Sequence, residues 1–227
     1  MKIFLIRHGN TFGDDQFGGN RVFMCGSKNN IQLVNAGRQK ARTMAKFLGL
    51  KNIKAIYSSS LIRTFEHAVI IREYFNQQNN FSPPLYLNEA LMELDYGNWA
   101  GLTTLGETKE TNEVIAKFGK PAWDDWQQKR IIPNQAPHNW QITREELVQR
   151  INTFFNMLSA QYKKDDIVVI ITSQGIITFV NELFDGGMDQ AIIENRFKIS
   201  PGNYCEIDFI DNQFKLVAWN LPPNSID

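Results

Sequence analysis

Cysteine and histidine are scarce in this chain, and a net charge is missing altogether. The two cysteines, Cys25 and Cys205, lie far apart and form no CxxC pattern or metal spacing, which argues against a sulfur-ligated metal centre and leaves a single disulfide between them as the disfavoured alternative. They read as reduced thiols of a cytosolic protein. The 24 basic residues balance 24 acidic ones, so broad electrostatic attachment to nucleic acid or to an anionic membrane is not expected. That balance leaves room for a small anionic ligand gripped by a few local cations. No apolar run approaches the roughly 20 residues of a membrane span. The first apolar run, Ile3 to Ile6, meets Arg7 too soon to be a signal-peptide core. Internal repeats and low-complexity segments are also lacking. The expectation is a soluble, cytoplasmic protein with no nucleic-acid or membrane partner, either monomer or dimer.

What is present is an ordinary globular composition, 43% hydrophobic and 21% charged over 227 residues. That predicts a single domain, 1–227, with residues 103–141 as an inserted, lid-like excursion. Ile3 to Ile6 is short enough for a buried strand, and it stops in Arg7, His8 and Gly9. A polar loop follows, about Asn10 to Val34, long for a compact domain. Asn35 reads as an N-cap, with a helix from Ala36 to Leu48 and a stop at Gly49. Lys54 to Tyr57 reads as a strand running into Ser58, Ser59 and Ser60, which offer an N-cap for a helix from Leu61 to Gln77. Leu85 to Leu87 reads as an edge strand after Pro83 and Pro84. Between Thr103 and Gln141 the chain is polar, with Trp123, Trp126, Trp140 and three prolines. Those tryptophans read as anchors of the excursion on the core. Thr143 with Glu146 is a capping box that opens a helix to about Tyr162. Ile167 to Ile171 is continuously apolar, as a central parallel strand requires, and it ends in Thr172-Ser173-Gln174-Gly175 ahead of a helix from Ile176 to Phe184. Tyr204 to Ile210 and Gln213 to Trp219 alternate around Asp211-Asn212, an edge hairpin.

Three strand ends therefore deliver polar groups: Arg7 and His8, Ser58 with Arg63 one turn later, and Ser173 with Gln174. If those strands are parallel neighbours, the groups converge at one sheet edge, where open α/β sheets bind ligands. Two guanidiniums beside an imidazole suit a phosphoryl group, since each planar fork can grip two oxygens. A neutral imidazole can attack phosphorus, and the leaving oxygen needs a proton donor, for which Glu93 is the candidate. Asp95 is its rival.

RHGNT at 7–11, SSSLIRT at 58–64 and ELDYGNWAG at 93–101 resemble, in order and spacing, the landmark motifs of the histidine phosphatase superfamily, in its phosphoglycerate-mutase-like branch. The resemblance implies a three-layer α/β fold, a mostly parallel sheet flanked by helices with a helical and loop insertion over the active site. It implies a metal-independent hydrolase with no cofactor, acting on a small phosphorylated substrate. His8 is then the residue phosphorylated on a ring nitrogen and cleared by water. Arg7 and Arg63 clamp the phosphoryl oxygens, with Asn10, Thr11 and Gly175 as further phosphate contacts. Glu93 serves as general acid and then general base.

Two departures accompany the match. The family usually carries a second histidine in a pattern like SHG, where this chain has Ser173-Gln174-Gly175. Gln174 keeps an amide donor for a phosphoryl oxygen but cannot become cationic, so turnover is expected to be lower. Asp14 stands about where family members place an asparagine on phosphate, and its carboxylate would repel one. His67, one helical turn after Arg63, is either a packed helix-face residue or a cation replacing the missing one. Ser58 is mainly a cap or turn residue, and His138 a loop residue. Three functions follow in order: a phosphatase, a degenerate binder of phosphate esters, and a phosphomutase, the last disfavoured because 103–141 lacks a long basic, proline-rich stretch. Specificity is expected in the loops 12–30 and 103–141.

Overall fold

A computed structural model of the protein describes residues 1–12, 23–49, 51–104 and 112–223. Its centre is a mixed sheet of six strands: β1 (Lys2–Arg7), β2 (Ile53–Ser58), β3 (Leu85–Leu87), β4 (Ile167–Thr172), β5 (Tyr204–Ile210) and β6 (Gln213–Leu221). The spatial order is β3-β2-β4-β1-β5-β6. The first four strands of that order run parallel, and β5 and β6 join antiparallel as an edge hairpin. The apolar runs explain the order. β4 and β1 are buried along nearly their whole length, and they take the middle, where both faces are covered. β6 alternates exposed and half-buried residues, as an edge strand does.

Helices cover both faces. On one, α1 (Asn35–Leu48) and α2 (Ile62–Asn79) pack over Phe4, Ile6, Ile56 and Ile171. On the other, α5 (Arg144–Gln161) and α6 (Gln174–Phe179) pack over Leu5, Tyr57, Val168 and Ile170. The excursion carries the short helices α3 (Glu113–Phe118) and α4 (Lys120–Asp124), the latter running into a π-helical turn at Asp125–Lys129. The last helix, α7 (Gly187–Ile193), follows α6. No described helix is long and apolar enough to cross a membrane.

The capping box at Thr143 and Glu146 forms as the residues predict. Elsewhere the caps differ. The N-cap of α1 is Val34, and Asn35 is already helical. No serine caps α2. Its N-cap is Leu61, and the Ile62 amide is met from across the chain by Asn30 Oδ1 at 2.7 Å. Ser59 and Ser58 instead satisfy each other and their own turn: Ser59 Oγ pairs with Thr64 Oγ1 at 2.6 Å, and Ser58 Oγ donates to Ser59 O at 2.9 Å. The helix expected to run to Phe184 leaves α geometry at Val180 for a 3₁₀ turn. There the buried Asn181 amide donates to Thr178 O and Arg196 O, drawing the chain toward residue 196.

The tryptophans do anchor the excursion. Trp126 packs edge-on against Trp140 with ring centroids 4.7 Å apart, and Trp140 meets Tyr96 at 4.8 Å. Trp99 stacks on Phe118 at 5.7 Å, and His138 Nδ1 accepts from the Trp99 indole at 3.1 Å. Each such pair adds about 0.5–1.5 kcal/mol beyond area burial.

Candidate active site

β2, β4 and β1 are parallel neighbours, so their C-terminal ends do meet at one edge. Above that edge lies a cavity of about 610 Å³ lined by Arg7, His8, Asn10, Thr11, Glu93 and Gln174, among others. Such a volume suits a small molecule rather than a bare phosphoryl group.

His8 is held by its own turn. Its amide donates to Thr172 O at 3.0 Å, and its Nδ1 lies 2.8 Å from Gly9 O. A carbonyl only accepts, so Nδ1 carries the proton and the lone pair of the neutral ring sits on Nε2. Burial, together with the charges of Arg63 and Arg7, holds the imidazole pKa well below its usual value, so the ring stays neutral near pH 7. The turn is seated by two glycines. A Cβ on Gly9 would strike the backbone of Gly37 in α1, and one on Gly37 would strike Asn10.

Glu93 follows the 3₁₀ turn Glu89–Leu91 and is buried. Its Oε1 accepts from the Leu94 amide at 2.9 Å and its Oε2 from Gly175 N at 3.2 Å. Burial pushes its pKa up, although the amides and the two arginines pull the other way. Asp95, its rival, is spent elsewhere: it pairs with Lys28 at 2.8 Å and accepts from Gly97 N at 3.1 Å.

The remaining predicted residues fall into place differently. Arg7 lines the cavity and donates through Nη1 to Ile199 O at 2.6 Å and to Gln174 Oε1 at 3.2 Å. Arg63 does not line it. Its guanidinium is fully buried and donates to Asn29 O at 2.7 Å and to Cys25 O and Gly26 O at 3.2 Å each. It anchors the loop after β1 and contributes its charge to His8 and Glu93. Gln174 is turned away from an oxyanion role. Both amide hydrogens go elsewhere, to Phe197 O at 2.7 Å and Thr178 Oγ1 at 3.0 Å, while its carbonyl faces Arg7 and the Ile199 amide. A flipped amide would put oxygen against the Phe197 carbonyl, so the network fixes this orientation. Gly175 offers its N–H to Glu93 rather than to a phosphate, and a Cβ there would run into Glu93 Oε1.

His67 is not the replacement cation. It is fully buried, accepts from Gly9 N at 3.1 Å on Nδ1, and is driven by burial to a pKa of about 3. It steadies the turn that carries His8. Ser58 closes β2 and stays out of the cavity. Asp14 lies outside the described residues. Among the described residues no three His, Cys, Asp or Glu side chains converge as metal ligands would.

A model of the histidine phosphatase superfamily, branch 1, matches residues 3–222. The chain belongs to that superfamily. The histidine phosphatase fold is also visible in solved structures. A putative α-ribazole-5′-phosphate phosphatase from Escherichia coli superposes with a TM-score of 0.71 at 18% identity, covering 98% of this chain and 97% of that one. Mycobacterial glucosyl-3-phosphoglycerate phosphatase gives 0.73 at 20% identity, over 96% and 98%. YhfR of Bacillus stearothermophilus gives 0.71 at 21%, over 96% and 95%. No curated protein sequence matches the chain.

One group in this cavity carries no mark in the sequence. Arg130, from the excursion, is 5% exposed and lines the cavity, with its guanidinium carbon 4.3 Å from the Phe197 ring centroid and 5.0 Å from that of Trp126. In QKRIIP it looks like any surface base. Only the folding-back of the excursion buries it.

Proposed function

We propose that the protein is a phosphatase that hydrolyses a small phosphomonoester through a phosphohistidine on Nε2 of His8. The observation that carries this reading is the state of His8: a buried neutral ring, its proton fixed on Nδ1 by Gly9 O, its Nε2 lone pair left to a cavity that also holds Arg7 and Glu93. In the first step Nε2 attacks phosphorus and the ester P–O bond breaks, while protonated Glu93 gives its proton to the leaving oxygen. In the second, the Glu93 carboxylate takes a proton from water, whose oxygen attacks phosphorus. The P–N bond breaks, releasing phosphate and restoring neutral His8. Arg7 holds the phosphoryl oxygens, and Arg63 acts through its charge and through the loop it ties down. The family membership, and the naming of two structural relatives as phosphatases, support the same reaction class.

Phosphate release measured over a panel of sugar phosphates, nucleotides and p-nitrophenyl phosphate tests the reading. Activity should vanish in His8→Ala, and rapid quench of the wild type should trap an acid-labile phosphoprotein. Full activity in His8→Ala would end the proposal.

A second reading, a binder of phosphate esters with little turnover, is favoured by one observation. Gln174 stands where the family usually has a second histidine, and both of its amide hydrogens are taken by Phe197 O and Thr178 Oγ1. Loss of one oriented donor typically costs about 10²–10³ in rate. Phosphate that stabilises the pure wild type without any turnover would favour the binder. Gln174→His separates the two accounts: on the phosphatase reading it raises kcat, and a lower kcat would overturn this account of the deficit.

A further inference from the structure

The chain as a whole is neutral, but the cavity is not. Among the described residues its lining holds the cations Arg7, Arg130 and Lys198 against one acid, Glu93, whose pKa is raised. The phosphoryl chemistry proposed above uses Arg7. Arg130 stands apart from it, on the excursion side, and is the more unusual of the two. Buried arginines are almost always paired with an acid or hydrogen-bonded, as Arg63 is to three carbonyls. Arg130 has no ion pair and no side-chain hydrogen bond among the described residues, and its buried Nε has no partner. Its contacts are aromatic faces, Phe197 and Trp126, which offset a cation only in part. Burial lowers its pKa to about 10, so it is still charged at neutral pH. A fold that keeps an unpaired cation beside a cavity is keeping it for an anion.

We propose that Arg130 binds a second anionic group on the substrate, so that the preferred substrate is a phosphomonoester carrying a carboxylate or a further phosphate away from the scissile one. Tyr96 lines the same cavity, and its hydroxyl feels the charges of Arg63, Arg7 and Arg130. Trp123, Trp126 and Phe23 line the same cavity and offer aromatic surface to the carbon skeleton that joins the two anions. The proposal rests on the phosphatase reading for its scissile phosphate, but the anion site at Arg130 is tested separately.

The experiment compares matched pairs on the wild type, Arg130→Met and Arg130→Lys. The carboxylate arm is 3-phosphoglycerate against glycerol 3-phosphate. The phosphate arm is fructose 1,6-bisphosphate against fructose 6-phosphate. p-Nitrophenyl phosphate reports on the phosphoryl site alone. A charge-assisted contact implies that the wild type prefers one two-anion member by roughly 10-fold or more in kcat/KM. The arm showing the preference identifies the anion. Arg130→Met should remove the preference, with a fall on that member at least ten times the fall on p-nitrophenyl phosphate. Arg130→Lys should keep part of it. The Tm of Arg130→Met should match or exceed that of the wild type, because an unpaired buried charge is gone. Preference below threefold in both arms of an active wild type overturns the assignment while leaving the phosphatase intact. If no ester is turned over, the phosphatase reading fails. Calorimetric binding of the same pairs then decides on Arg130: a tenfold tighter two-anion ester, lost in Arg130→Met, supports it, and equal affinities reject it.

Discussion

His67 shows how a residue can matter to a site it never touches. Its ring is neutral because the Gly9 amide donates to Nδ1 and burial penalises the charged form. The folded pKa of about 3 lies below the ordinary 6.5. The unfolded chain therefore binds a proton that the fold refuses, and stability falls as pH drops from 6.5 toward 3. At pH 5 the penalty is roughly 2 kcal/mol, or about 4–8 °C in Tm. Thermal melts of wild type and His67→Gln at pH 7.5 and pH 5 check this. The glutamine keeps an acceptor for Gly9 N, so the variant should lose less Tm on acidification, and an equal loss would refute the account. His8 is depressed in the same sense, which is why the comparison must be with the variant. Glu93 carries the opposite expectation for catalysis. Its raised pKa keeps the acid form further into the neutral range, so kcat/KM should decline on the alkaline side as that proton is lost. Glu93→Gln should cost about 10²–10⁴ on alkyl phosphates and less on p-nitrophenyl phosphate, whose leaving group needs less protonation. Gly175→Ala acts on the same carboxyl by pushing Oε1 aside, and a displacement of that kind costs about 10²-fold.

At the scale of elements, capping separates stability from function. Thr143→Ala opens the capping box of α5, which is not part of the cavity lining, and should cost about 0.5–2 kcal/mol of stability with kcat/KM unaffected. Asn30→Ala removes the cap of α2 and should cost a similar amount. It should also raise KM, since the neighbouring Asn29 carbonyl holds Arg63. Urea melts alongside steady-state kinetics would expose a wrong assignment if the two variants behaved alike. These caps also mark where the sequence could be read. The Thr143 box is local, four residues long, and visible in print. The cap from Asn30 to Ile62 crosses thirty-two residues and leaves no local trace. The same division runs through the site. Ile3–Ile6 declares itself as a buried strand and Ile167–Ile171 as a central parallel one, and their polar ends point to the sheet edge where the cavity lies. What each polar end bonds to is decided by loops packed over it. Arg63 is drawn onto the carbonyls of Cys25, Gly26 and Asn29, and Gln174 onto the Phe197 carbonyl. Arg130 is buried only when Trp126 and Trp140 pack the excursion back on the core.

For the whole molecule, one cavity collects groups from nearly every layer. β1 contributes Arg7 and His8, the loop before residue 97 contributes Glu93 and Tyr96, α6 contributes Gln174, and the excursion contributes Arg130. An oxyanion bound there meets side chains from several of these segments at once and binds only the folded arrangement, so its affinity should appear as global stability. A ligand that binds only the folded state adds about 2.7 kcal/mol at a hundred times its Kd. In a chain of this length that is a rise of roughly 5–11 °C in Tm. Vanadate is the suitable probe, because it can adopt the five-coordinate geometry that an imidazole attacking phosphorus would create. A vanadate titration followed by melting should raise the Tm of the wild type by that amount. Arg7→Met should abolish most of the rise, because it removes a guanidinium that lines the cavity with His8. His8→Ala should reduce the rise further than it reduces the response to plain phosphate, since phosphate needs no nucleophile. Equal shifts with both anions in His8→Ala would mean that the imidazole does not face the bound oxyanion, and the covalent route through His8 would fall.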